Sequence, residues 1–126
     1  MMVLATHVSG SDDTLPRIAA LYYGRWELFY LIYEANKSVI GGIDGLRPGM
    51  PLAIPLPATK ELRHVVQTGD SFEALSLFYY ETEHFARLIR KANGGIVIYE
   101  SVGVELVIPA LVTPAELDAA SRRTAA

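Results

Sequence analysis

The sequence predicts an α+β protein of two tandem βααβ units, each an antiparallel two-stranded sheet packed on two helices. Three observations carry this. Residues 7–36 and 64–93 align without a gap at an offset of 57, and nine pairs are identical: His7/His64, Val8/Val65, Asp13/Asp70, Tyr22/Tyr79, Tyr23/Tyr80, Leu31/Leu88, Ile32/Ile89, Ala35/Ala92 and Asn36/Asn93. Each copy holds two stretches whose apolar residues recur at helical spacing. Each copy also closes on a β-prone run, aligned at an offset of 54 through Gly49/Gly103, Leu52/Leu106, Ile54/Ile108 and Pro55/Pro109. Self-similarity at a fixed period marks a duplicated unit.

The elements follow in order. His7-Val8 and residues 63–67 are short strands at the start of each copy. Thr14 and Ser71 stand as helix N-caps, offering a hydroxyl to the free N–H groups of a first turn. Pro16 falls in that turn, where a missing N–H costs little. Leu15, Ile18, Ala19 and Tyr22 then recur at helical spacing, as do Phe72, Leu75, Ser76 and Tyr79. Gly24 is a good helix stop; Glu81 in the second copy is a weaker one. The second helix of each copy carries a stripe at i, i+3, i+4, i+7: Leu28, Leu31, Ile32, Ala35 and Phe85, Leu88, Ile89, Ala92. Asn36 and Asn93 suit a left-handed exit from those helices. Residues 45–55 and 101–109 supply a turn and the closing strand. The domain reading is a first repeat over 3–55, a linker over 56–62, a second repeat over 63–109, and a short C-terminal surface helix and frayed tail over 110–126. Thr113, Pro114 and Glu116 make a capping-box start for that helix.

Composition narrows the function classes. The 126 residues include no cysteine, which removes disulfides and thiolate zinc sites. Net charge is −3 and the 11 basic residues are scattered, so nucleic-acid binding lacks its electrostatic footprint. No apolar run is long enough to span a bilayer. The opening residues lack the basic and apolar regions of a secretory signal, so cytoplasmic synthesis is expected. Hydrophobic residues reach 51% in a chain too small to hide them all, which calls for some apolar surface facing a partner.

Candidate chemistry is sparse. The three histidines, His7, His64 and His84, form no cluster or spacing that a metal site needs. Asp12-Asp13 is best read as helix-dipole complementarity ahead of Thr14. The glycine-rich stretch 41–45 follows a helix instead of leading into one, the wrong context for cradling phosphate. No nucleophile elbow is present. The expectation is a non-enzymatic protein with no cofactor and no metal.

These pieces together resemble the LysM family. The resemblance rests on Asp13-Thr14-Leu15, Ile18-Ala19, Tyr22-Tyr23-Gly24, residues 32–36, and Leu46-Arg47-Pro48-Gly49 with Leu52, Ile54 and Pro55. The second copy matches through Gly69-Asp70-Ser71-Phe72, Tyr79-Tyr80, Ala92-Asn93 and Leu106-Val107-Ile108-Pro109. The resemblance implies the βααβ fold and a shallow groove for N-acetylglucosamine-containing glycans, held mainly by backbone groups. Carried over, the first groove sets Asp12, Asp13, Thr14 and Leu15 against Ile40, Gly41, Gly42 and Ile43. The second sets Gly69, Asp70, Ser71 and Phe72 against Gly95, Ile96 and Val97. This sequence departs from the family pattern at Asp12, where glycine is usual, and at Glu81 and Val102 in the second copy.

A further stripe, Trp26, Phe29, Tyr30 and Tyr33, runs along the second helix of copy one. Its counterparts are Glu83, Ala86, Arg87 and Arg90, an ordinary solvated face. Trp and Tyr are typical interface anchors, so this stripe packs either within the chain or against another protein. LysM modules also recur as adaptors in phage tails and contractile injection systems. The expected function is therefore a structural adaptor of a baseplate or of a tube–spike junction, partnered by other protein subunits and carried into a virion or injection particle. The alternative is a peptidoglycan-binding protein.

Overall fold

The computed structural model describes residues 2–125. The chain is α+β, with two tandem βααβ units, each carrying its own two-stranded antiparallel sheet. The first compact unit takes the described residues up to Pro57 and from Val112 onward; the second is Ala58–Leu111.

In the first unit, β1 (Val3–Val8) pairs with β2 (Pro51–Pro55), from Val3 opposite Pro55 to Val8 opposite Pro51, with a bulge between Val3 and Ala5. β1 therefore begins well before the His7-Val8 run. Between the strands lies α1 (Leu15–Tyr23), capped by the Thr14 hydroxyl, which accepts from the Arg17 N–H at 3.2 Å. Gly24 ends it in the left-handed region at φ 74°. A single 3₁₀ turn, Trp26–Leu28, leads into α2 (Phe29–Ile40). The core is Leu15, Ile18, Ala19, Tyr23, Leu28, Leu31, Ile32, Ile40, Leu52 and Ile54. Tyr23, not Tyr22, is the fully buried member of its pair, and its hydroxyl donates to the Pro55 carbonyl at 2.6 Å.

Asn36 does not end the second helix: α2 runs on to Ile40 and stops at Gly41, φ 83°. Its side chain instead stitches helix to sheet. The Asn36 amide donates to Ile32 O at 2.7 Å and Ala53 O at 2.8 Å, and its carbonyl accepts from Ala53 N at 2.9 Å. An amide has the donor and acceptor of a peptide group, so it extends the ladder at β2 where no third strand exists.

The second unit repeats the plan. β3 (Leu62–Val65) pairs with β4 (Glu105–Ile108), from Leu62 opposite Ile108 to Val65 opposite Glu105. Ser71 caps α3 (Phe72–Tyr80), a 3₁₀ turn Glu83–Phe85 follows, and α4 (Ala86–Ala92) completes the pair. Asn93 bonds Ile89 O and both backbone groups of Val107, as Asn36 does in its unit, and its φ of −112° is not left-handed. Gly94 and Gly95 supply the positive φ beyond it. Tyr80 donates to Pro109 O at 2.6 Å, repeating Tyr23. The apolar stripe is only partly buried here: Ile89 is sealed, Leu88 is 38% exposed and Ala92 is exposed. Glu81 holds φ 65°, the position of Gly24, because the 3₁₀ turn that follows needs the same reversal.

The last helix, α5 (Pro114–Ala125), packs on α1 within the first unit, with Ala120 buried. Thr113 and Glu116 exchange reciprocal bonds, Thr113 N to Glu116 Oε1 at 3.0 Å and Glu116 N to Thr113 Oγ1 at 3.1 Å. The capping box is thus formed, and the helix it starts runs on through the stretch expected as a frayed tail, to Ala125. Among the described residues no helix is long and apolar enough to cross a membrane.

Candidate functional site

An open groove of about 380 Å³ lies on the first unit, lined by Asp13, Thr14, Leu15, Pro16, Phe29, Ile43, Asp44 and Leu46. One wall is the turn entering α1; the other is the loop leaving α2. Thr14 and Pro16 shape the first wall, one as cap and one as a helix-starting residue. The second wall is folded tightly on itself. A Cβ on Gly45 would lie 2.0 Å from the Ile40 carbonyl oxygen, so only glycine allows the loop to turn back against the end of α2.

The structure gathers Asp13, Thr14, Leu15 and Ile43 around this groove. Asp12 is exposed and outside the lining, Ile40 is buried in the core, and Gly41 and Gly42 belong to the turn behind it. Pro16, Asp44 and Leu46 join the site although sequence reasoning did not place them at the groove. Phe29 is also there, one of four residues expected on a protein-facing stripe. That stripe is not continuous on one helix: Trp26 stands in the 3₁₀ turn and is 61% exposed, while Phe29, Tyr30 and Tyr33 are half-buried on α2. Phe29 and Tyr30 stack at 4.2 Å between ring centroids.

Asp13 does more than complement a helix dipole. Its Oδ2 accepts from Gly10 N at 2.7 Å and lies 2.8 Å from His7 Nε2, while His7 Nδ1 lies 2.9 Å from the Tyr22 hydroxyl. The second unit repeats the set. Asp70 Oδ2 accepts from Gln67 N at 2.8 Å and meets His64 Nε2 at 2.7 Å; His64 Nδ1 is 2.7 Å from the Tyr79 hydroxyl. The signal was in the sequence, since His, Asp and Tyr are identical in both copies at the same offset. The backbone bond from Gly10, then the His7 bond, holds the Asp13 carboxyl below its usual value; Gln67 and then His64 do the same for Asp70.

An Asp–His–hydroxyl line invites a catalytic reading. Desolvation, and then the Asp13 charge, push the Tyr22 hydroxyl above its usual value, opposite to what a primed nucleophile needs. Tyr79 is shifted the same way by burial and Asp70. The bonds of each set tie down the turn between strand and helix, which in the first unit forms a groove wall. Among the described residues no three acidic, histidine or cysteine side chains are grouped to hold a metal.

In the second unit Gly69 (φ 89°), Asp70, Ser71 and Phe72 form the turn into α3, with Ser71 Oγ accepting from Ala74 N at 3.0 Å. Gly95 and half-buried Ile96 follow α4, and Val97 is exposed like its counterpart Ile43. Ile98, which stands where the first unit has Asp44, is buried.

No family model matches this chain. Two curated proteins resemble it: Esterase MT1326 of Mycobacterium tuberculosis (strain CDC 1551 / Oshkosh) and Esterase Rv1288 of Mycobacterium tuberculosis (strain ATCC 25618 / H37Rv). Each is 32% identical over 111 residues, covering 85% of this chain and 22% of the relative. The chain therefore spans about a fifth of the length of the curated relatives it matches.

Proposed function

We propose that this chain is a non-catalytic, LysM-like binding module that holds an N-acetylglucosamine-containing glycan, peptidoglycan above all, in the groove of its first unit. The observation that carries the reading is the groove itself, where the turn entering α1 and the loop leaving α2 face each other across about 380 Å³ with Phe29 among the lining residues. Exposed backbone on both walls can meet sugar hydroxyl and acetamido groups, and an aromatic ring supplies an apolar surface for a sugar face. The relatives support an accessory part: the matched stretch is 22% of proteins named esterases, so most of each lies outside the likeness. Ester hydrolysis is left out of this reading, since the bonds of both Asp–His–Tyr sets hold the turns.

A second reading, a structural adaptor for other protein subunits in a phage tail or injection system, draws on Trp26. Trp26 is 61% exposed, and tryptophan is a common interface anchor.

The test is co-sedimentation with insoluble peptidoglycan, comparing the native sequence with Ile43→Trp and Trp26→Glu. Ile43 is 46% exposed on the groove wall, so the larger ring fills the groove without entering the core. Glycan binding predicts sedimentation lost in Ile43→Trp and kept in Trp26→Glu. A folded native protein that stays in solution defeats the glycan reading and leaves Trp26 as the surface to pursue.

A further inference from the structure

Resting on the peptidoglycan reading for its choice of partner, we propose that the outer face of α4 in the second unit is a contact for the carboxylates of peptidoglycan's peptide stems, through Arg87, Arg90 and Lys91. The three stand at i, i+3 and i+4 on α4, so their side chains leave one face of the helix. All three are exposed, and none of their side chains has a hydrogen bond or ion pair with a described residue. Arg25, Lys37, Arg63 and Arg122, by contrast, each meet a carboxylate. No Asp or Glu occurs from His84 to Tyr99, so the segment supplies no counter-charge of its own.

The fold does not call for this charge. In the first unit the same positions, at the offset of 57, are Tyr30, Tyr33 and Glu34. A cation in the last turn of a helix faces the partial negative charge there, which accounts for Arg90 and Lys91. Arg87 lies in the first turn, where that field opposes it. Like charges one turn apart also repel, so Arg87 costs α4 stability against both Arg90 and Lys91. An outside anion relieves both costs, on a chain whose own net charge is −3.

Peptidoglycan joins the sugar of the groove reading to such an anion, because its glycan strands carry short peptides that bear carboxylates. Guanidinium groups take carboxylates in paired, charge-assisted bonds. Side chains one helical turn apart, about 5.4 Å along the axis, can hold neighbouring carboxylates of one stem. Chitin offers N-acetylglucosamine with no carboxylate, so charge on α4 bears on peptidoglycan and leaves chitin unaffected. Exposed pairs are individually weak, and three together correspond to about tenfold in affinity at low salt. That contribution shrinks as salt screens the charges.

The experiment is co-sedimentation of the 126-residue protein, and of its Arg87→Gln/Arg90→Gln/Lys91→Gln variant, with insoluble peptidoglycan and with chitin, at low and high salt. The peptidoglycan is used before and after hydrofluoric acid has stripped its phosphate-linked polymers. Glutamine is a good helix former, and circular dichroism checks the fold of the variant. Expected is peptidoglycan binding about tenfold weaker in the variant at low salt, a gap that closes at high salt, survives the stripping and is absent on chitin. Equal affinity of the two proteins for peptidoglycan at low salt, or an equal gap on chitin, overturns the α4 contact and leaves the groove reading standing. A gap that vanishes with the phosphate polymers overturns the assignment to peptide stems. Native protein that binds peptidoglycan with this gap but does not bind chitin keeps the α4 contact and sinks the groove. A folded protein that binds neither polymer removes both.

Discussion

Arg25, just past the end of α1, and Glu116, in the first turn of α5, form a two-pronged ion pair across 91 positions of sequence. Nε lies 2.9 Å from Oε2 and Nη2 lies 3.1 Å from Oε1. The same carboxylate receives the Thr113 N–H of its own capping box, so one side chain both starts the helix and docks it. Planar, paired geometry of this kind is what guanidinium and carboxylate do best.

The Arg25 bond, followed by the Thr113 backbone bond, lowers the Glu116 carboxyl from 4.5 to about 2. A depressed carboxyl contributes stability above its unfolded pKa and loses it as pH falls through the folded one. The docking of α5 on α1 should therefore weaken between about pH 4.5 and pH 2 and hold above that window. Amide exchange of α5 followed across this range checks it. Glu116→Gln should exchange faster at neutral pH and lose most of the dependence; unchanged protection in the variant would mean that Ala120 packing alone seats the helix.

Asn36 and Asn93 should be the most costly polar residues to truncate. Each makes three bonds to backbone and stands where the sheet has no further strand. Alanine leaves the N–H and carbonyl of Ala53, or of Val107, without their partner. An unsatisfied buried group costs about 1–3 kcal/mol, so each variant should lose about 2–4 kcal/mol in urea unfolding. Asn36→Asp keeps the acceptor but loses the donors, and should recover only part of the loss.

Glu81 is the non-glycine residue with positive φ among those described, at 65° where the first unit has Gly24 at 74°. Glu81→Gly should stabilise the second unit by about 0.5–1 kcal/mol, since glycine adopts that region without steric cost. Gly24→Ala should cost about 1 kcal/mol in the first unit. Its new Cβ would sit 3.5 Å from the Arg123 guanidinium, an ordinary contact, so the penalty comes from the backbone. Thermal unfolding of the two variants measures both signs.

Much of this protein was readable along the chain. The duplication, the order of elements, the caps at Thr14, Ser71 and Thr113 and the stripe through Leu31 and Ile32 all follow from local rules: spacing sets which face is buried, and a hydroxyl before a helix satisfies free N–H groups. The repeat even held the answer to His7, Asp13 and Tyr22, because three residues kept together in two copies are a set. Reading each position by its neighbours alone hid that, and made a helix-dipole residue of Asp13.

Tertiary structure decided what depends on partners distant in sequence. Asn36 looks like a helix stop locally but lies inside α2, whereas Asn93 does end α4; in both units an unpaired strand edge takes up the amide. Tyr23 is buried and Tyr22 half-buried because the Pro55 carbonyl and the His7 ring lie on different sides of α1, which helical spacing cannot tell apart. Arg25 and Glu116 meet only because α5 comes back to α1. Phe29, Asp44 and Leu46 become neighbours of Thr14 only when the loop after α2 doubles back at Gly45. Periodicity tells which side of an element is apolar; which element closes over it is fixed by packing, and the groove exists only once that packing is made.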